Sequence, residues 1–162
     1  MKAESIGLRK YALFNDKNER IATLNYEGWL TYRATAELTD GTKINFEPQG
    51  FWGQTIEVEQ EDEHLATIKM DWLGNVKVFY EKAEEPTFIL KYTGFWQTKM
   101  ILQDRQKNGI AEFVGRFRWS KFAYEYEITP LAENALPDTK DLVITWFAAM
   151  YLFKLVSGSS GG

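Results

Sequence analysis

Between residues 8 and 128 the chain alternates apolar and polar positions with a period of two. Ile56 and Val58 alternate with Glu57 and Glu59. Ile68, Met70 and Trp72 alternate with Thr67, Lys69 and Asp71, and Phe122, Tyr124, Tyr126 and Ile128 with Ala123, Glu125 and Glu127. Successive side chains of a strand point to opposite faces, so each stretch predicts a strand with one buried and one wet face. Polar or glycine-bearing breaks fall at Asn15-Asp16-Lys17-Asn18, Asp40-Gly41, Glu61-Asp62-Glu63, Gly74-Asn75, Glu84-Glu85-Pro86 and Lys107-Asn108-Gly109. These residues supply the positive backbone angles and local hydrogen bonds of tight turns. The pattern predicts about eleven strands in an antiparallel meander.

Beyond Pro137 the period changes. Residues 142–156 are apolar except for Thr145 and Lys154, the most hydrophobic run in the chain. Asp138, Thr139 and Asp141 offer oxygens to the free N–H groups of a helix start, and acidic charge to its positive dipole end. A helix is therefore expected over about 139–156. A surface helix carries an apolar stripe, whereas this one is apolar all round and must be enclosed. A membrane span needs about 20 apolar residues, more than this run supplies, so protein is the expected enclosure. Residues 157–162 are only Ser and Gly, a flexible tail.

The helix and the sheet solve each other's problem. A sheet of this size with a single helix exposes a large apolar face, and closed sheets of more than about eight strands leave a lumen. A helix is about 10–12 Å wide, and sixteen residues rise about 24 Å, close to the height of a strand of seven or eight residues at about 3.3 Å each. The expected fold is mainly β: one domain over 1–156, a closed antiparallel barrel of about 11–12 strands around the C-terminal helix. A weak repeat supports successive hairpins of one sheet. Gly50-Phe51-Trp52 returns as Gly94-Phe95-Trp96, and Ile21-Ala22, Leu65-Ala66 and Ile110-Ala111 each follow a polar turn.

A meander of about a dozen strands with Asp/Asn-rich hairpins, closed by a hydrophobic helix over 142–156, resembles the tubby-like fold. Tubby C-terminal domains, phospholipid scramblases and LURP-one-related proteins share that fold. The likeness runs over nearly the whole chain, 8–156, and rests on element order and on the helix. It implies a helix threaded through the barrel. Tubby domains bind phosphoinositide head groups and scramblases are linked to lipid movement with calcium, so it also implies a lipid-facing or regulatory binding protein. Neither the tubby phosphoinositide site nor the scramblase calcium motif matches residues here.

Composition narrows the function classes. A net charge of −4 argues against a general nucleic-acid binder, which neutralises phosphates with clustered Lys and Arg. With no cysteine, disulfides, thiolate metal sites and a Cys nucleophile are excluded. The first residues carry no apolar run of signal-peptide length, so cytoplasmic residence is the expectation, peripheral to a membrane if a lipid is bound.

Candidate chemistry is sparse. His64, the single histidine, reads as a turn residue beside Asp62 and Glu63. No nucleophile elbow surrounds Ser5 or Ser120, and zinc ordinarily takes three protein ligands. No catalytic residue, metal site or cofactor is assigned. The acidic run Glu57, Glu59, Glu61, Asp62 and Glu63 lacks the spacing and glycine of a calcium loop and reads as a solvated, edge-protecting face. Arg116, Arg118 and Lys121 are the most suggestive group. The two arginines share the outward face of a strand whose inward residues are expected to be Phe117 and Trp119, with Lys121 across the turn. Two readings stand: a site for an anionic head group, or a solvated face paired with Glu125 and Glu127. The six tryptophans read as barrel filling, with Trp52 or Trp96 as the alternative of a membrane anchor.

The leading expectation is a non-enzymatic binding module for an anionic lipid head group or similar ligand at a membrane surface, through Arg116, Arg118 and Lys121. The second is a protein-interaction or structural subunit. The third is a lipid-moving protein that inserts the 142–156 helix.

Overall fold

A computed structural model describes residues 1–28, 31–50, 54–81, 83–94, 98–120, 123–133 and 135–158. The strands are β1 (Lys2–Gly7), β2 (Lys10–Phe14), β3 (Arg20–Tyr26), β4 (Ala34–Leu38), β5 (Lys43–Gln49) and β6 (Thr55–Gln60), then β7 (Glu63–Met70), β8 (Val76–Tyr80), β9 (Phe88–Tyr92), β10 (Thr98–Gln103), β11 (Gly109–Arg118) and β12 (Ala123–Pro130). Each pairs antiparallel with its sequence neighbours, and β1 pairs with β12 through Lys2↔Glu127 and Ala3↔Tyr126 to close a barrel. The single helix of the described residues, α1 (Thr139–Gly158), follows β12.

The inward faces are those the alternation selects. Ile44 and Phe46, Ile56 and Val58, Ala66 and Ile68, and Val76 and Val78 are all buried. Ala3, Ala22, Ala34, Ala36, Ala66 and Ala111 belong to the same core, and small side chains on the wall leave width for a helix. The Ile-Ala and Leu-Ala repeat thereby acquires a physical meaning: its alanines line the lumen, while Ile21, Leu65 and Ile110 pack at its margin.

Helix α1 runs down that lumen. Successive residues of a helix advance by about 100°, yet every residue from Leu142 to Phe153 is buried. Its partners lie around the ring: Phe147 stacks on Phe46 of β5 and Tyr26 of β3, Phe153 meets Tyr124 and Tyr126 of β12, and Tyr80 of β8 donates to Asp141. Asp138 caps the helix start, its Oδ1 accepting from the Asp141 N–H at 2.9 Å. Buried Thr145 satisfies its hydroxyl by donating to the Leu142 carbonyl at 3.0 Å. Among the described residues, no helix is long and apolar enough to cross a membrane.

Two expectations are corrected. Trp72 and Trp119 do not fill the barrel; they are 91% and 75% exposed. Strand β7 ends at Met70, and Asp71 Oδ1 then accepts from the N–H groups of Leu73 and Asn75, curling the chain into a turn before Trp72 can point inward. Trp119 likewise follows the last residue of β11 and rests edge-on against Phe117. Trp146, on the helix, is the fully buried tryptophan of the three described. Trp29, Trp52 and Trp96 lie outside the described residues, as do parts of both Gly-Phe-Trp copies.

Residues Glu61 and Asp62, joining β6 to β7, have φ of 52° and 64°, the two-residue hairpin geometry that favours Asn-Gly or Asp-Gly. Left-handed backbone costs a side-chain-bearing residue about 1–2 kcal/mol, and the entropy lost by glycine is about 0.5–1 kcal/mol. Asp62→Gly is therefore expected to stabilise the protein by about 0.5–1 kcal/mol, read as a higher urea midpoint with an unchanged slope.

Candidate functional site

Strands β11 and β12 bring Arg116 and Arg118 together on the outer wall. Their register sets Arg116 opposite Glu125 and Val114 opposite Glu127, and the side chains pair on the diagonal. Arg118 Nε lies 2.6 Å from Glu125 Oε2, and Arg116 Nη2 lies 3.4 Å from Glu127 Oε2. The hydrogen bond and charge of Glu125 hold the Arg118 guanidinium above its ordinary range. Both pairs border a cleft of about 350 Å³ that also takes in Lys2, Asp16 and Asn18. Positive and negative groups alternate across it. Lys121 lies outside the described residues.

His64 is the second residue of β7, one step beyond the turn. Its Nε2 lies 2.6 Å from Glu57 Oε2 and 3.0 Å from Thr67 Oγ1, while the Thr67 hydroxyl donates to the same carboxylate at 3.0 Å. One ring nitrogen serves both partners, so the group is a strand-surface hydrogen-bond cluster on the outer wall. Among the described residues, no three His, Asp or Glu side chains are arranged to hold a metal ion.

The two ends of the barrel differ more than any patch of its wall. In a meander the connections alternate between ends. Among the described residues, one end carries 15–19, 39–42, 61–62, 81, 83–87, 104–108, 131–133 and 135–138; the other carries 8–9, 27–28, 31–33, 50, 54, 71–75, 93–94 and 119–120. The first set contains eleven acidic and three basic residues and no Trp, Phe or Tyr; the second contains two acidic and two basic. Those two acids are engaged: Glu27 lies 3.8 Å from Arg33, and Asp71 lies 3.1 Å from Lys77. Arg118 and Lys10 stand at strand termini on this second end. Of the large apolar side chains exposed among the described residues, Ile6, Leu8, Trp72, Leu73, Tyr92 and Trp119 lie at or beside the second end, and Leu131 at the first.

The helix joins these unlike ends. It starts at the acidic one, where burial holds the Asp141 carboxyl above the usual range and the Tyr80 hydrogen bond only partly offsets it. It finishes at the other, where Tyr11 and Tyr26 meet edge to face, as do Tyr32 and Tyr151. Lys154 Nζ sits 3.5 Å from the centre of the Tyr26 ring, and burial brings its pKa down to about 8.

Period-two reading found the arginine pair and missed the end-to-end asymmetry. The signal was available: numbering the connections and comparing odd with even separates the Trp-Leu turn at 72–73 from the Asp- and Glu-rich ones.

No family model matches the chain, and no curated protein matches it. Among solved structures the fold is similar to that of a protein from Arabidopsis thaliana determined by X-ray crystallography. The two share 12% identity and a TM-score of 0.54, over 88% of this chain and 82% of that one. At that identity the likeness is one of fold.

Proposed function

We propose that this protein is a non-enzymatic binding module for anionic lipid head groups at a membrane surface. The observation that carries the reading is the unequal charge of the barrel ends. A net-acidic protein is repelled by an anionic surface unless its charge is polarised, and here the acids crowd one end while the described residues of the other end carry two acidic and two basic groups. Each Lys or Arg close to an anionic leaflet contributes about 1 kcal/mol, within a screening length of about 8 Å at physiological salt. Of the acidic connections, 15–19 borders the arginine cleft through Asp16, which is paired with the N-terminal ammonium.

Arg116 and Arg118 fit this role although both are paired. Their ion pairs with Glu127 and Glu125 are solvent-exposed on the arginine side, and such pairs contribute about 0–1 kcal/mol. A phosphate accepts the same guanidinium hydrogen bonds with more charge, so exchanging a carboxylate for a lipid head group costs little.

Flotation of the full chain with phosphatidylcholine vesicles, with and without phosphatidylserine, tests the reading. Binding is expected only with the anionic lipid and is lost near 1 M salt, where the screening length is about 3 Å. Arg116→Gln/Arg118→Gln is expected to weaken it by about tenfold. Equal recovery with both vesicle types, or indifference to salt and to the double variant, rejects it.

A further inference from the structure

Charge alone does not account for the hydrophobic tips at the less acidic end. Trp72 and Leu73 are 91% and 64% exposed in adjacent positions of one tight turn, Leu8 is 74% exposed in another, and Trp119 stands exposed at a third. Their exposure is built in. Asp71 uses both carboxylate oxygens on its own turn, Oδ1 toward the Leu73 and Asn75 N–H groups and Oδ2 toward the Asn75 side chain. Gly74 supplies the left-handed step at φ 82°, and Lys77 holds the Asp71 carboxylate from the next strand. The hairpin is thus a rigid support presenting a Trp-Leu pair to solvent, at a transfer cost of order 25 cal/mol per Å² of apolar surface left wet.

The tips are distributed around a rim. Strands β9 and β10 separate β8 from β11, about 14 Å of wall at about 4.8 Å per strand. A protein partner is ordinarily met by one contiguous apolar patch with a polar margin. Separate tips on connections of one end, with indole rings at two of them and basic residues at the adjoining strand termini, match the layered interface of a bilayer, where tryptophan prefers the head-group level. The opposite end is strongly acidic, which disfavours the inverted orientation.

Building on the membrane reading above, we infer that Leu8, Trp72, Leu73 and Trp119 penetrate the interfacial layer of an anionic bilayer. The barrel stands on its tryptophan-bearing end, with the acidic end and the helix N-terminus directed away. Arg118 and Lys10, one residue behind Trp119 and two behind Leu8, reach the phosphate level when the tips enter the acyl boundary.

The test uses the full chain with phosphatidylcholine–phosphatidylserine vesicles, with and without brominated acyl chains. Tryptophan emission is expected to be quenched by the brominated lipid, with the quenched fraction falling in Trp72→Phe and again in Trp72→Phe/Trp119→Phe. Trp72→Ala/Leu73→Ala is expected to weaken vesicle binding by on the order of tenfold. These side chains are exposed, so an unchanged urea midpoint confirms that the variants fold. Absence of quenching, with binding of the alanine variant equal to that of the unaltered protein, overturns insertion and leaves surface adsorption in place. Failure of the unaltered protein to bind any anionic vesicle overturns both proposals. Dimerisation of the unaltered protein that the alanine variant abolishes, without quenching, assigns the tips to a contact between copies and also overturns it.

Discussion

Phe147→Ala is expected to lower the unfolding free energy by about 3–5 kcal/mol, a large share of the about 5–15 kcal/mol that holds an ordinary domain folded. The ring is fully buried at mid-helix. It stacks on Phe46 at 3.9 Å between centroids with planes 12° apart, and on Tyr26 at 6.1 Å and 25°. Truncation therefore loses the transfer energy of a buried ring, two aromatic contacts worth about 0.5–1.5 kcal/mol each, and the packing around the void. That void closes poorly, since β3 and β5 are fixed by their ladders to the strands on either side. Urea denaturation followed by circular dichroism gives the number. Trp72→Ala, at the exposed turn, is the internal control and is expected to stay within about 0.5 kcal/mol. A loss below about 1 kcal/mol for Phe147→Ala contradicts a helix packed in the lumen.

That contrast between two aromatic positions shows what the sequence makes legible. The helix could be read because its signals are local and agree: Asp138 at the cap, an unbroken apolar run, and expected limits of 139–156 against Thr139–Gly158. The barrel followed from a balance of surfaces, since one all-apolar helix and one large half-apolar sheet can only enclose each other. Trp72 and Trp119 were misread because alternation was carried past the strand ends, and Asp71 side-chain bonds to the backbone decide where β7 stops. The partners of Arg116 and Arg118, Glu125 and Glu127, were legible as the facing acids of the next strand; the β11–β12 register adds that the pairing runs diagonally, Arg118 to Glu125 and Arg116 to Glu127. Net charge concealed the polarity of the ends, because it averages over connections that the fold sends in opposite directions.

Lys154 carries the second large prediction, and its sign follows from where its proton is held. Burial lowers its pKa from 10.5 to about 8. Below pH 8 both folded and unfolded states are protonated, and the folded state bears the cost of a partly desolvated ammonium. Between pH 8 and 10.5 the folded lysine has released its proton while the unfolded one retains it, so stability rises with pH. At 1.36 kcal/mol per pKa unit, this amounts to on the order of 2–3 kcal/mol by pH 10. The Tyr26 ring, 3.5 Å from the ammonium, favours the charged form by about 0.5–2 kcal/mol, which trims the rise to on the order of 1–2 kcal/mol. The tyrosines then reverse it. Burial pushes the pKa values of Tyr11, Tyr26, Tyr32, Tyr126 and Tyr151 up, that of Tyr151 to about 12. Unfolded tyrosines ionise near pH 10 while the folded ones keep their protons, so stability falls above that point. A maximum between about pH 8 and 10 is expected in urea midpoints. Lys154→Met should remove the rising limb, add on the order of 1–2 kcal/mol at neutral pH, and leave the alkaline fall intact. If the unaltered protein is equally stable from about pH 7 to 10, or if the methionine variant keeps the rise, the ammonium is not held in the aromatic mouth of the barrel and the closing turn of α1 lies elsewhere.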